Sequence, residues 1–363
     1  MKYLFINSVA GVGSTGRIAA EKCRELMAQG HPCVLAYGRD KGNCDDIPTI
    51  QIGSSLDYNL HGALTRVLDA HGFGSRAATR RFLEQVKEFD PDVVWLHNIH
   101  GYYLQVELLF AYLKESRKKV IWTLHDCWAF TGHCPHFDYI GCEKWRTGCH
   151  NCDQTREYPA SFVLDGSREN YERKRRAFTG VSDLTLITPS QWLADLVKDS
   201  FLGEYPVQVV HNRINTDIFR PTAGDFREKY DLEGKKMILG VAGVWCERKG
   251  LQDMIRLSQS LDKTYRVVLV GLTQEQIGEM PETVLALPRT RSPRELAEIY
   301  SAADLFVNPT YEDTYPTVNL EARACGTRVV SYDTGGCRET LGDGDTLVPR
   351  GNFQALLEAV CKE

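Results

Sequence analysis

The sequence has 363 residues, enough for roughly two domains of about 150 residues, and its 43% hydrophobic content lets each domain bury a core. The 43 Lys and Arg against 48 Asp and Glu leave a net charge of −5, which excludes the basic field of a general nucleic-acid-binding protein. No apolar run approaches the ~18 residues of a spanning helix, and the first residues turn polar too early for a secretory signal. We therefore expect a cytoplasmic protein without a nucleic-acid partner.

Short apolar runs alternate with helical patterns through the first half of the chain. The run 3–8 precedes a loop with three glycines and a helical pattern over 18–27, which predicts a strand, a glycine turn and a helix. Because such runs are apolar on both faces, they are typical of a parallel sheet covered by helices. Further strands of this half are predicted at 32–36, 92–97, 120–124, 184–188 and 207–210.

The alternation restarts in the second half. The pattern predicts two successive doubly wound α/β domains, 1–206 and 207–350, followed by a helical segment at 351–363. Ligands of such sheets bind at the carboxyl ends of the strands, so two domains facing each other would share a central cleft. The predicted strands are 236–241, 266–270, 283–287, 305–308, 328–332 and 346–348, and the predicted helices are 251–261, 294–302, 317–324 and 353–360.

The tract 127–159 is rich in Cys, His and aromatic residues and fits neither period, so we predict an inserted loop. Its Cys134, Cys142, Cys149 and Cys152 are separated by seven, six and two residues. Four thiolates could close a tetrahedral structural zinc site, for which the last pair has the usual chelating spacing. The first pair lacks that spacing, so structural zinc, reduced buried thiols and a disulfide pair all stay open.

Two segments of the second half carry charge where a ligand would bind. Arg248 and Lys249 stand just before a predicted helix, where their charges and the helix dipole favour a phosphate group. Glu312, Asp313 and Glu321 flank the start of a later helix, and carboxylates suit the vicinal hydroxyls of a ribose or hexose. Each segment also has a simpler explanation. Arg248 and Lys249 could form a basic turn that only keeps the loop soluble, and the acidic residues could be favoured by the helix dipole alone.

This arrangement resembles the family 4 retaining glycosyltransferases, which have the GT-B architecture of two Rossmann-like domains around a cleft. The family motif on the donor side is an acidic residue, seven further residues and Glu-Ala. Asp313 and Glu321-Ala322 match this motif, with Tyr315 in the aromatic position. The family's Lys-Gly is matched by Lys249-Gly250. In this chain the first acid is Asp, with Glu312 one place off.

Gly243-Val244-Trp245 replaces the family's Gly-Arg-Leu. The phosphate-binding arginine is therefore missing at 244, and we expect Arg248 to substitute for it.

Segments of the first half resemble the same family. The glycine loop 11–16 and the strand that ends in Thr123-Leu124-His125-Asp126 match its amino-terminal motifs, and 211–219 matches its interdomain segment. The tract from His97 to 152 is closer to a subset of the colanic-acid type, which builds bacterial surface polysaccharides.

The resemblance implies a retaining, metal-independent hexosyltransferase. It would move a sugar from a UDP- or GDP-linked donor to a hydroxyl of a glycan or lipid-linked acceptor, with no cofactor for catalysis. Arg248 and Lys249 would bind the leaving diphosphate, Glu321 the ribose, and Asp313 or Glu312 the transferred sugar. The implied residues are His125, Asp313, Arg248 and Lys249 for catalysis; Gly243, Glu312, Thr314, Tyr315 and Glu321 for the donor; and Gly13, Gly16 and His97 for the acceptor-side loop.

A lipid-linked acceptor would bring the protein to the inner membrane as a peripheral partner. Basic residues Arg76, Arg80, Arg81 and 174–176 could then touch anionic lipid, although solvated helix faces are the simpler interpretation. The mixed-sign stretch 168–176 is predicted to be such a face. The segment 351–363 is expected to pack back on the amino-terminal domain, as it often does in this architecture.

Three other classes compete with a transferase. A sugar-nucleotide 2-epimerase shares the architecture but needs acid/base carboxylates in the first half, and no matching motif is found there. A two-lobed solute-binding protein would need an export signal. A zinc-module interaction protein would explain the cysteines but would leave Arg248, Lys249, Asp313 and Glu321 without a role.

Overall fold

A computed structural model describes residues 1–362 and separates into two compact units, with the division between Val210 and His211. Each unit is a parallel sheet with apolar clusters on both faces, which confirms the predicted α/β class. In β1 (Tyr3–Asn7), Leu4 and Ile6 pack on one face while Tyr3 and Phe5 pack on the other. An uninterrupted apolar strand is therefore what this position in the sheet requires.

The first unit holds a seven-stranded sheet in the order β3-β2-β1-β4-β5-β6-β7, with every neighbouring pair parallel. Its other strands are β2 Cys33–Tyr37, β3 Thr49–Gln51, β4 Val93–Leu96, β5 Lys119–Thr123, β6 Leu184–Thr188 and β7 Val207–Val209. Its helices are α1 Gly13–Ala28, α2 Ser55–Leu68, α3 Arg76–Phe89, α4 Val106–Ser116, α5 Ser167–Phe178 and α6 Gln191–Lys198.

The second unit holds a six-stranded parallel sheet in the order β10-β9-β8-β11-β12-β13. Its strands are β8 Lys236–Val241, β9 Tyr265–Val270, β10 Val284–Leu287, β11 Leu305–Asn308, β12 Arg328–Asp333 and β13 Thr346–Pro349. Its helices are α7 Phe226–Lys229, α8 Leu251–Ser260, α9 Gln274–Glu279, α10 Pro293–Ala302, α11 Thr317–Ala324 and α12 Phe353–Cys361.

Both sheets reverse their strand order beside their first strand, between β1 and β4 and between β8 and β11. At such a switch point the two connecting loops leave the sheet in opposite directions, which opens a crevice at the carboxyl ends of the strands. The loops after β1, β4, β8 and β11 are therefore where each unit can bind a ligand.

One helix differs from expectation. The predicted solvated face 168–176 lies in α5, yet Lys174 is fully buried: its ammonium donates to the carbonyls of Trp128 and Thr131 at 2.7 and 3.0 Å. The helix α12 buries Phe353 and Leu356 in the core of the second unit, and its packing on the first domain stays a prediction. This helix packs against β12, β13 and α8.

Candidate active site

The loops that follow β8 and β11 are in direct contact. Gly250 has a φ of +75°, and a Cβ atom there would lie 2.1 Å from the carbonyl oxygen of Pro309. Only glycine allows this approach. The backbone N–H of Tyr311 donates to the carbonyl of Arg248 at 2.8 Å, which joins the same two loops. The basic and acidic segments found in the sequence are thus brought together at the switch point.

Arg248 and Lys249 lie in a short 3-10 turn that leads into α8. The guanidinium of Arg248 donates to the carbonyl of Glu312 at 2.9 Å, and the ammonium of Lys249 forms an ion pair with Asp313. The side chains of this pair are 23% and 19% exposed, so both keep contact with solvent. Two cations are therefore held by the acidic loop at the amino end of a helix.

Both carboxylate oxygens of Asp313 have partners. One pairs with Lys249 and the other accepts the N–H of Tyr315 at 3.1 Å. Burial raises the pKa of Asp313, but the charge and hydrogen bond of Lys249 outweigh it and the pKa is lowered. The backbone is fixed as well, since a Cβ on Gly335 would lie 2.0 Å from the carbonyl of Asp313. Asp313 is a charged anchor for Lys249.

Glu321 lies in α11 and is 9% exposed. The buried hydroxyl of Tyr300 donates to Oε2 of Glu321 at 3.1 Å, which holds the carboxylate in place. The ring of Tyr315 stacks on His211 at a centroid distance of 5.0 Å. Glu312 is also buried, whereas Gly243 and its neighbour Val244 are exposed. Sequence reasoning missed Tyr300, whose apolar helical setting resembles that of any core tyrosine.

The glycine loop of the first unit leads into α1 at the carboxyl end of β1. Gly13 begins the helix with a φ of +62°, and a Cβ on Gly16 would lie 2.9 Å from the Val9 side chain. Buried Asn7 donates from Nδ2 to the Val9 carbonyl at 2.8 Å and accepts the Asn98 N–H at 3.1 Å. Asn7 therefore joins the loops after β1 and β4. The sequence did not reveal this role, because one polar residue at the end of a strand carries no distinctive pattern.

His97 and His125 follow the neighbouring strands β4 and β5. Their rings stack, and Nδ1 of His97 lies 3.0 Å from Nε2 of His125. Burial lowers the pKa of His125 to about 4, and it also lowers the pKa of His97. Both rings are therefore neutral near pH 7, and Nε2 of His97 is a buried nitrogen without a hydrogen-bond partner. The sequence placed both residues at strand ends but not in contact.

His100 and Asp126 form a second pair beside these rings, with Nε2 of His100 at 2.9 Å from Oδ2 of Asp126. Burial raises the pKa of Asp126, but the charge and hydrogen bond of His100 prevail and the pKa falls to about 2. His97, His100, His125 and Asp126 line one small pocket, with Trp122 and Trp128 among its walls. Sequence reasoning missed His100, which reaches Asp126 only in the folded chain.

The four cysteines predicted as metal ligands, Cys134, Cys142, Cys149 and Cys152, line another pocket of the first unit. In residues 1–362 none of the cysteines forms a disulfide. Among the described residues, no group of three or more His, Cys, Asp or Glu side chains is arranged to hold a metal ion. The four thiols are therefore clustered around one pocket without a disulfide bond between them.

Two family models match the chain. The model described as "Glycosyltransferase Family 4" matches residues 15–218, and the one described as "Glycosyl transferases group 1" matches residues 235–362. The chain is 24% identical over 356 residues to the putative colanic acid biosynthesis glycosyl transferase WcaC of Escherichia coli K12, covering 94% of this chain and 85% of that protein. It is 27% identical to a D-inositol 3-phosphate glycosyltransferase of Corynebacterium aurimucosum over 51% of this chain and 49% of that protein.

Solved structures share the fold. Sucrose-phosphate synthase from Thermosynechococcus elongatus superposes with a TM-score of 0.73 at 16% identity, covering 99% of this chain and 89% of the other. The Anabaena protein HepE in complex with UDP-glucose superposes with a TM-score of 0.67 at 15% identity, covering 100% and 89%. Since the family models span both units, the chain belongs to the family 4 glycosyltransferases and has the two α/β units of the GT-B fold.

Proposed function

We propose that the protein is a retaining, metal-independent hexosyltransferase that uses a nucleotide diphosphate sugar, UDP- or GDP-linked. The acceptor is a hydroxyl of a glycan or lipid-linked sugar in bacterial surface polysaccharide synthesis, as the name of the WcaC relative suggests. One observation carries the proposal: Arg248 and Lys249 are fixed against the acidic loop at the switch point of the second sheet.

The chemical difficulty of the reaction is the leaving diphosphate, which gains negative charge while the sugar becomes oxocarbenium-like. Preorganised donors aimed at that charge are the usual remedy. Lys249, held by Asp313, supplies a point charge, and Arg248 supplies a guanidinium fork beside the start of α8. In this proposal Glu321, oriented by Tyr300, accepts hydrogen bonds from the hydroxyls of the ribose.

In this proposal Asp313 holds Lys249 and accepts the Tyr315 N–H, and no carboxylate is assigned as nucleophile. The acceptor then attacks the same face of the sugar that the diphosphate leaves. In the proposed step the acceptor oxygen bonds to the anomeric carbon, the bond to the phosphate oxygen breaks, and that phosphate takes the acceptor's proton. The configuration is then retained.

Replacement of Lys249 tests this assignment in a transfer assay with UDP- and GDP-linked donors. We expect Lys249→Met to lower kcat/KM by about 100-fold or more, the usual cost of one lost donor to developing charge. Lys263→Ala is a matched control, because Lys263 is an exposed lysine at the opposite, amino-terminal end of β9. Full activity of Lys249→Met would refute the donor site. Conversion of the donor sugar without any acceptor would instead favour a 2-epimerase.

An exposed apolar surface supports the peripheral membrane contact that a lipid-linked acceptor needs. The outward side of α2 carries Leu56 and Leu60, which are 66% and 62% exposed, and Leu64 follows one turn later. The segment 162–164 runs beside this helix, since the Phe162 N–H donates to the Arg66 carbonyl at 2.8 Å. In residues 1–362 no helix is both long and apolar enough to cross a bilayer.

We name Leu56, Leu60, Leu64, Val67, Leu68 and residues 162–164 the α2 surface. Exposed apolar side chains of this extent usually mark an interaction site, and Arg66 and Arg156 at its border favour anionic lipid. We expect binding to phosphatidylglycerol vesicles that Leu56→Ser with Leu60→Ser abolishes and that Ile140→Ser, another exposed apolar site, leaves intact. Equal binding by the double variant would contradict this use of the surface.

A further inference from the structure

The cysteine-rich tract folds around its thiols. Cys134, Cys142, Cys149 and Cys152 line one pocket, and the thiols of Cys134 and Cys152 are hydrogen-bonded to each other. The backbone N–H of Gly132 donates to Sγ of Cys149 at 3.1 Å. A hydrogen bond of this kind stabilises sulfur that carries negative charge.

A buried lysine lies beside the pocket. Lys174 is buried, and the hydrogen bonds of its ammonium go to two backbone carbonyls. Lys144 and His133 also line the pocket. Zinc binds cysteine as thiolate, and a neighbouring lysine can offset part of the negative charge of a thiolate centre.

The tract also lacks the regular structure that would order it otherwise. Between the 3-10 turn Trp128–Phe130 and α5, the described residues contain only one further 3-10 turn, Lys144–Arg146. Trp145 in that turn is nevertheless buried and stacks on Phe137 at 5.0 Å. An irregular segment of this length needs a cross-link to offset its conformational entropy.

We propose that Cys134, Cys142, Cys149 and Cys152 bind one structural zinc ion that pins this tract. In the structure the thiols are not at coordination spacing, so binding requires their side chains to rotate inward around the pocket. Each cysteine loses its proton to solvent, the hydrogen bond between Cys134 and Cys152 is replaced by two sulfur–zinc bonds, and the divalent cation offsets two of the four thiolate charges. The centre keeps two negative charges beside Lys174 and Lys144.

Metal analysis of the full chain, purified without chelator, tests this inference. We expect one zinc per chain in the wild type, the same in Cys361→Ser, and loss of the zinc in Cys142→Ser and Cys152→Ser. Cys361 is a suitable control because it is an exposed thiol at the end of α12. Wild-type protein with well under one zinc per chain, which also takes up none from added zinc chloride, would overturn the proposal.

A measurement on the wild type alone covers the case in which the variants fail to fold. The thiols that react with Ellman's reagent are counted in the native protein before and after treatment with a strong chelator. We expect four more reactive thiols per chain after chelation, and tetrathiolate charge-transfer bands when cobalt replaces the zinc. An unchanged thiol count would contradict the site, and early reaction of the pocket thiols would show that they are simply reduced.

Discussion

The ion pair of Lys249 and Asp313 allows the charge of Lys249 to be separated from its structural effect. Lys249→Met removes the cation and leaves a carboxylate that is about four-fifths buried, since Asp313 is 19% exposed. Breaking a fully buried pair in this way costs about 3–5 kcal/mol. Because both side chains here reach solvent, we expect a smaller loss, about 1–3 kcal/mol in the free energy of unfolding.

The second variant, Lys249→Met with Asp313→Asn, removes both charges. Since no carboxylate then lacks its partner, we expect most of the stability to return, with a coupling energy of about 1–2 kcal/mol between the two positions. Transfer should not return, because the diphosphate still lacks its cation. Urea unfolding and a transfer assay on the wild type, both single variants and the double variant measure the two quantities separately.

The result that would refute this reasoning is a double variant that regains activity together with stability. Such a result would mean that Lys249 only supports the loop after β11 and takes no part in binding the donor. A coupling energy near zero would show instead that the ion pair is screened by solvent and does not anchor Lys249.

Two further predictions concern the histidine pocket of the first unit. The pKa of Asp126 is lowered to about 2, so the stability that this carboxylate contributes is present above its unfolded pKa of about 3.9 and is lost as the pH falls toward 2. Over that pH range we expect the free energy of unfolding in urea to fall by about 2 kcal/mol more for the wild type than for Asp126→Asn. Parallel pH curves for the two proteins would contradict this. Because the pKa of His125 is about 4, His125→Ala should lower kcat/KM by the same factor at pH 6 and at pH 8, and a factor that changes between these pH values would show that the imidazole titrates there.

The sequence was most informative where a single physical cause dominates. Central strands of a parallel sheet are buried on both faces, so uninterrupted apolar runs predict them, and β6, β8 and β11 have the predicted bounds. The strand β3 was missed because it has only three residues and lies half exposed at the sheet edge. The helix α2 was missed because its leucines face solvent, which blurs the usual amphipathic pattern.

The candidate active site was also predicted only in part. Charged residues beside a predicted helix start were found because their spacing along the chain carries the signal, as at Arg248 and Lys249. Side chains that act through contacts between distant segments were not found. Tyr300 reaches Glu321 and His100 reaches Asp126 only in the folded chain. Lys174 was misjudged because nothing in a charged stretch shows which member faces the core.

Calorimetric titration of the protein with UDP and with GDP tests most directly whether the second unit binds a diphosphate through Lys249. We predict that one of the two nucleotides binds the wild type and Lys263→Ala equally, and that Lys249→Met weakens it by about 10- to 100-fold, the worth of one charged hydrogen bond. Equal affinity for Lys249→Met and the wild type would contradict the account.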